Sequence, residues 1–461
     1  FFVRDRERDP KVIAWVCMLF VLTLLLFITV VICYGLFQTY RKAKEYQFFL
    51  CHHKAVAGAY ARALKLFLRD HPKTKRKVFI DSDDLFDLDT LFDTVRTKVE
   101  HLVVLDSGSI WTRPWCLGEV TSAYLKHLDL LIVSLPDSTG AIMQVINQGL
   151  DDLDGMGVIA SHGMDINMVK NALLWLSDLP KISVPTVING VVMGSLASML
   201  VENQRGGEVK NLENKHATMV SSTHVKGFIL CDAGNMETAA SGLVLRKMLF
   251  LRGVSVAIAV SANEDLEGVE MAVVLFSCGC LEKPFLLKLL LAAGRSDIVA
   301  FPVFLDDTFQ VPSIAQFREL HDNSPVKQEE MHIGELAGFL MTIFSEIAKH
   351  FLASVSSEQV LLDSSKAIAT RMTNPSSELS IGRSSKRFAR AIATLTKNLT
   401  DFASIESTRS EKSSLNKNII WLDDYASHVD GILPFGADGE ESSCSSSGGM
   451  LVEYGKQELE P

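Results

Sequence analysis

The sequence predicts an α/β protein: two parallel-sheet units in series, each flanked by helices, behind one membrane-spanning helix and ahead of a largely disordered tail. Three observations predict it. From residue 45 to about 355, short apolar runs alternate with segments of helical spacing, the pattern of βαβ units. Parts of that pattern recur far along the chain, as tandem domains do. An uncharged apolar run from Val12 to Phe37 precedes both.

Composition sets the limits. The 461 residues leave room for two or three domains. An apolar share of 48% with 22% charged residues fits folded α/β material rather than disorder. A net charge of −10 excludes a general affinity for nucleic acid. The eight cysteines show no C-x-x-C pair, and most sit in apolar runs, so reduced core thiols are expected. Cys278-Gly279-Cys280 is too tight for a zinc knuckle, and no metal site is expected.

Residues 1–11 read as a juxtamembrane segment and residues 12–37 as a transmembrane helix. That run exceeds the ~20 residues needed to cross ~30 Å of hydrocarbon. Trp15 at one end and Tyr34 and Tyr40 at the other suit the two interfaces. The core is too long for a signal peptide, and no small-residue cleavage site follows. Basic residues flank both ends, so the sequence does not orient the helix by charge.

The first domain is expected over residues 45–204. Tyr46 to Lys54 reads as a strand running into a polar turn and Lys77 to Asp84 as a strand ending in an acidic loop, with a helix at residues 54–69 between them that carries Ala57, Ala61, Leu64, Phe67 and Leu68 at helical spacing. A second helical pattern fills residues 85–99. His101 to Leu105 and Leu128 to Leu135 are further strands. Residues 184–200 are apolar, but Pro185, Asn189 and Gly190 favour a buried strand–helix pair over a second membrane pass.

Residues 205–224 read as a polar linker, and residues 225–355 as a second, degenerate copy. Phe48-Phe49-Leu50-Cys51 returns as Phe228-Ile229-Leu230-Cys231, an offset of 180 (228 − 48). Val103-Val104-Leu105 returns as Val273-Val274-Leu275, an offset of 170 (273 − 103). At the same 170, Arg113-Pro114-Trp115 becomes Lys283-Pro284-Phe285 and Glu119 becomes Leu289. The copy keeps its core pattern and loses its polar groups, so it is expected to be catalytically silent. Residues 356–461 are Ser-rich and are expected to be mostly disordered, with one possible helix at 383–402 and a stray strand at 418–424.

Three segments in fixed order carry a family resemblance: Phe48-Phe49-Leu50-Cys51-His52-His53-Lys54, then Val78-Phe79-Ile80-Asp81-Ser82-Asp83-Asp84, then Arg113-Pro114-Trp115-Cys116-Leu117-Gly118-Glu119. They resemble the signature boxes of Toll/interleukin-receptor (TIR) domains, most closely the plant type, where FLSFR, FIDDD and RWCLDEL fall at similar spacing. The resemblance covers residues 45–137 and fades beyond them, although Ile298 to Asp307 is similar to the fourth strand and loop of such domains. It departs at Gln47, where an acidic residue is usual, at Cys51, where a Ser is usual, and at His53, where a basic residue is usual.

The resemblance implies two flavodoxin-like domains on the cytoplasmic side of a membrane, acting in signal transduction by self-association and assembly with other TIR domains. It also implies an alternative. Some TIR domains cleave NAD+, and Glu119 falls on their catalytic carboxylate with Trp115 beside it. Breaking the nicotinamide–ribose bond builds positive charge on the sugar, which a nearby carboxylate stabilises. His53 and Lys54 would then meet substrate phosphate, His53 only when protonated. NAD would be a substrate; no cofactor is expected. Asp81, Asp83 and Asp84 are expected to form a solvated loop used in TIR–TIR contacts. Each residue also has a plainer reading. Glu119 as a helix-dipole partner, Trp115 as sheet-edge packing, His52 and His53 as solvated turn residues and Cys51 as core all stay open. The chain opens on Phe1 rather than Met, which leaves a third reading, the regulatory tail of a larger membrane protein.

Overall fold

The computed structural model describes residues 10–40, 44–84, 90–209, 227–259, 269, 271–312 and 333–373, except positions 137, 139, 151, 152, 154 and 297. Helix α1 (Pro10–Tyr40) is apolar on all sides. Its Lys11–Gly35 portion has a mean hydropathy of 3.1 and none of it is buried against the rest of the chain, so it is long and apolar enough to cross a membrane.

The first unit is a six-stranded sheet in the order β2-β1-β3-β4-β5-β6, with every neighbouring pair parallel. Its strands are β1 (Tyr46–Cys51), β2 (Lys77–Phe79), β3 (Val99–Asp106), β4 (Asp129–Ser134), β5 (Lys181–Ser183) and β6 (Gly207–Glu208). The helices between them are α2 (Lys54–Asp70), α3 (Asp81–Asp84), α4 (Leu91–Lys98), α5 (Pro114–Leu125), α6 (Ala141–Gln148), α7 (Met156–Ser161), α8 (Ile166–Ser177) and α9 (Gly190–Val201). The second unit has β7 (Gly227–Leu230), α10 (Met236–Leu251), β8 (Val256–Ile258), β9 (Met271–Phe276), α11 (Pro284–Arg295), β10 (Val299–Phe304), α12 (Ile333–Phe344), β11 (Lys349–His350) and α13 (Glu358–Thr373). Its order, β8-β7-β9-β10-β11, is that of the first five strands of unit one. Both follow the doubly wound order 2-1-3-4-5. Both α5 and α11 begin on a proline, which costs a helix nothing at its first position.

Side chains alternate across a strand, and the cores divide accordingly. From β1, Phe48 and Leu50 face one core while Phe49 and Cys51 face another; β3 splits Val103 and Leu105 from Leu102 and Val104. The outer core of unit one is closed by α4, α5 and α8, and that of unit two by α11 and α12. The inner cores are continuous. Side chains of α2, α9, α10 and α13 form one apolar layer between the two sheets. Because α2 lies between its own sheet, α9 and α10, even Arg62 and Lys65 on it are buried.

Two expected boundaries move. Strand β6 falls within the segment read as linker. Helix α13 falls within the segment read as tail, because Leu361, Ile368, Ala369 and Met372 close the inner core as the counterpart of α9. The rest of the expected tail, residues 374–461, with its possible helix at 383–402 and strand at 418–424, lies outside the described residues, as does most of the linker.

Candidate functional site

In a doubly wound sheet the chain leaves β1 over one face and returns to β3 over the other, and this switch point leaves a crevice at the carboxyl ends of those strands. Here α2 covers the inner face and α4 the outer. Of the sequence-predicted residues, Glu119, His53, Lys54 and Asp81 lie around the end of β1, while Asp83, Asp84 and Trp115 make other contacts.

Glu119 lies on α5 and is 6% exposed. It turns towards Cys51, the last residue of β1, and Cys116, one turn earlier on α5. The two sulfurs and a Glu119 carboxylate oxygen all lie within 4.8 Å of one another. The Cys116 thiol donates to the His52 carbonyl at 3.5 Å. Burial pushes the Glu119 carboxyl up to about 8, only partly offset by its hydrogen bond with Cys51. Burial also raises the Cys51 thiol. For Cys116 the bond with Cys51 favours the thiolate, but burial and the neighbouring Glu119 and Asp81 carry the thiol upward. Oε2 of Glu119 has no hydrogen-bond partner among the described residues. Three buried acids thus lie together, and none ionises easily.

The turn after β1 is only partly solvated. His52 is buried, with Nδ1 on the Leu50 carbonyl at 3.0 Å and Nε2 3.8 Å from Asp81. Burial holds His52 below its ordinary pKa. His53 meets the Ser109 hydroxyl at 2.9 Å. Burial, with Arg113 and His52 nearby, lowers it to about 4, so it is neutral at pH 7 and offers phosphate no charge. Lys54 is half-exposed and pairs with Asp81 at 3.1 Å. Trp115 is half-buried and stacks on Phe92 at 5.4 Å, with His162 edge-on to the same Phe ring. A Cβ on Gly118 would come within 2.3 Å of the Phe92 ring.

The acidic segment differs most from expectation. Asp81, Asp83 and Asp84 form the short helix α3 rather than a solvated loop. Asp83 is a buried hub: it accepts from Arg62 at 2.8 Å, from Lys65 at 2.9 Å and from the backbone N–H of Glu358 at 2.8 Å. Arg62 also donates to the Ala353 carbonyl at 2.8 Å and to that of Ser356 at 2.5 Å. Asp84 pairs with Lys65 at 2.8 Å. The segment therefore ties unit one to the end of unit two, because α2 brings two cations that burial would otherwise leave unpaired.

A second tie runs the other way. Helix α2 is interrupted at Ala57, where the backbone leaves helical geometry. The N–H groups at the start of its second stretch need acceptors. Glu237, in the first turn of α10, supplies them, accepting from Ala59 at 2.8 Å and Tyr60 at 2.9 Å.

Sequence reasoning missed Asp106 at the end of β3. It is fully buried and accepts from Trp111 Nε1 at 2.8 Å and Lys181 Nζ at 2.9 Å. A lone Asp closing an apolar strand was the available signal. It also treated Cys51 and Cys116 separately, as core. No protein-family model matches this chain, and no curated protein matches it.

Proposed function

We propose that this chain is a membrane-anchored signal-transduction protein whose TIR-like units act by assembling with other such units, with α1 in the bilayer and the units on its cytoplasmic side. The observation that carries the reading is the helix-face packing of α2 against α10, by which one repeat already serves as the partner of the other. Anchoring by α1 would confine copies to a surface and raise their effective concentration. The three motif segments support the family reading. The test is crosslinking of the full chain in lipid vesicles at increasing surface density. Ladders that lengthen with density fit the proposal; single copies at every density overturn it.

A second reading, NAD+ hydrolysis, is favoured by one observation: Glu119, His52, Lys54 and Asp81 share the carboxyl end of β1 next to the switch point. A carboxyl with a pKa of about 8 is mostly protonated at pH 7. It would have to ionise as the ribosyl cation develops. Nicotinamide leaves as a neutral molecule and needs no strong acid. NAD consumed by the clustered wild type and spared by Glu119→Gln would establish this reading. No loss of NAD from the clustered wild type would remove it.

A further inference from the structure

The geometry points to a metal site in the first unit: a zinc-class divalent ion held by Sγ of Cys51, Sγ of Cys116 and a carboxylate oxygen of Glu119, buried where β1 meets α5. Cys sulfur and carboxylate oxygen are each zinc ligands, whereas magnesium and calcium do not favour sulfur. The spacing fits. A tetrahedral zinc centre has donor–donor edges of about 3.6–3.8 Å, from bonds of about 2.3 Å to sulfur and about 2.1 Å to oxygen. All three donors here already lie within 4.8 Å of one another, so closing on an ion takes shifts of about 1 Å or less.

Two independent observations separate this cluster from ordinary core thiols. Among the described residues Oε2 of Glu119 is buried without a hydrogen-bond partner, which costs free energy in the folded chain. The second unit supplies an internal comparison. At the 170 offset Cys116 becomes Leu286 and Glu119 becomes Leu289, both fully buried, while Cys231 keeps the place of Cys51. The same fold therefore closes that corner with leucine, and packing alone does not require a thiol and a carboxyl there. A bound dication would offset the charge of the three acids once they deprotonate to ligate it.

The test uses the full chain in detergent, stripped with chelator and kept under a phosphine reductant, titrated with cobalt(II) as a spectroscopic stand-in for zinc. The expected result is one equivalent bound, with a near-ultraviolet sulfur-to-cobalt charge-transfer band and tetrahedral d–d bands, all abolished by added zinc. Cys116→Ser should lose one thiolate's share of the charge-transfer intensity, and the double variant Cys51→Ala/Cys116→Ser all of it. Glu119→Gln should weaken cobalt binding by about tenfold or more while keeping the band. A folded wild type with no sulfur-to-cobalt band overturns the proposal without any variant. So does a band that Cys51→Ala and Cys116→Ser both leave intact, since another cysteine must then carry it. Neither result bears on assembly, which is read separately by crosslinking.

Discussion

Glu237 gives the sharpest quantitative prediction. Its carboxyl is pushed up to about 7, because burial between α10 and α2 outweighs the N–H donors of Ala59 and Tyr60. Against an ordinary value of 4.5, that gap corresponds to a ceiling of about 3 kcal/mol. Water on the open side of the group reduces it to about 2 kcal/mol. The folded pKa lies above the unfolded one, so the contribution is fully present below pH 4.5 and is lost as pH rises through about 7. Glu237→Ala lacks this dependence but leaves two N–H groups without acceptors at every pH, at a cost of about 1–3 kcal/mol each. The deficit of the variant should therefore be largest near pH 4.5 and shrink by about 2 kcal/mol by pH 8. Urea unfolding of the detergent-solubilised chain, followed by tryptophan fluorescence, measures it. A deficit that stays constant, or grows with pH, would refute the reasoning. The start of the second α2 stretch would then stabilise the anion by more than burial costs it.

Two further outcomes follow from the contact between units. Gly58→Ala should destabilise the chain by about 1–3 kcal/mol. Its new Cβ would lie 2.8 Å from the Ser354 carbonyl oxygen and 2.9 Å from its Cα, and backbone cannot give way as a flexible side chain can; thermal unfolding checks this. Asp83→Asn should cost about 3–5 kcal/mol by leaving Arg62 buried without its counter-ion, while Lys65 keeps Asp84. Burial raises the Asp83 pKa, but the two cations outweigh it and hold the carboxyl below its ordinary range. The wild-type contribution is therefore kept above about pH 4 and lost only in stronger acid, which the same denaturation series reads.

The sequence carried much of the fold in its periodicity. Phe48 to Cys51, Val103 to Leu105 and Leu131 to Val133 read as strands because period-two burial on both faces leaves continuous apolar runs. The copy was legible because Pro114 and Pro284 start matching helices at one fixed offset. Helix α13 was not, because its polar and Ser content obscured Leu361, Ile368 and Met372, which matter only against an inner core supplied by α10. Asp83 was misread for a related reason. Carboxylates after a strand look solvated until α2 is seen to bury Arg62 and Lys65 beside them, and its third partner, Glu358, is 275 residues away. Of the site, Glu119 stood out as a charge in an apolar helix. Cys51 and Cys116 did not, since each alone resembles core; only the meeting of β1 with α5 makes them a set.

The central structural claim is that the two repeats form one body through α2 and α10, and zero-length carbodiimide crosslinking tests it most directly. Lys247 on α10 pairs with Asp70 at the end of α2, both partly exposed. The account predicts a Lys247–Asp70 crosslinked peptide within single chains, at a yield comparable to that of the Lys73–Glu202 and Lys77–Glu45 pairs inside unit one. If those two controls form while Lys247–Asp70 is absent, or is found only between chains, the packing described here is wrong.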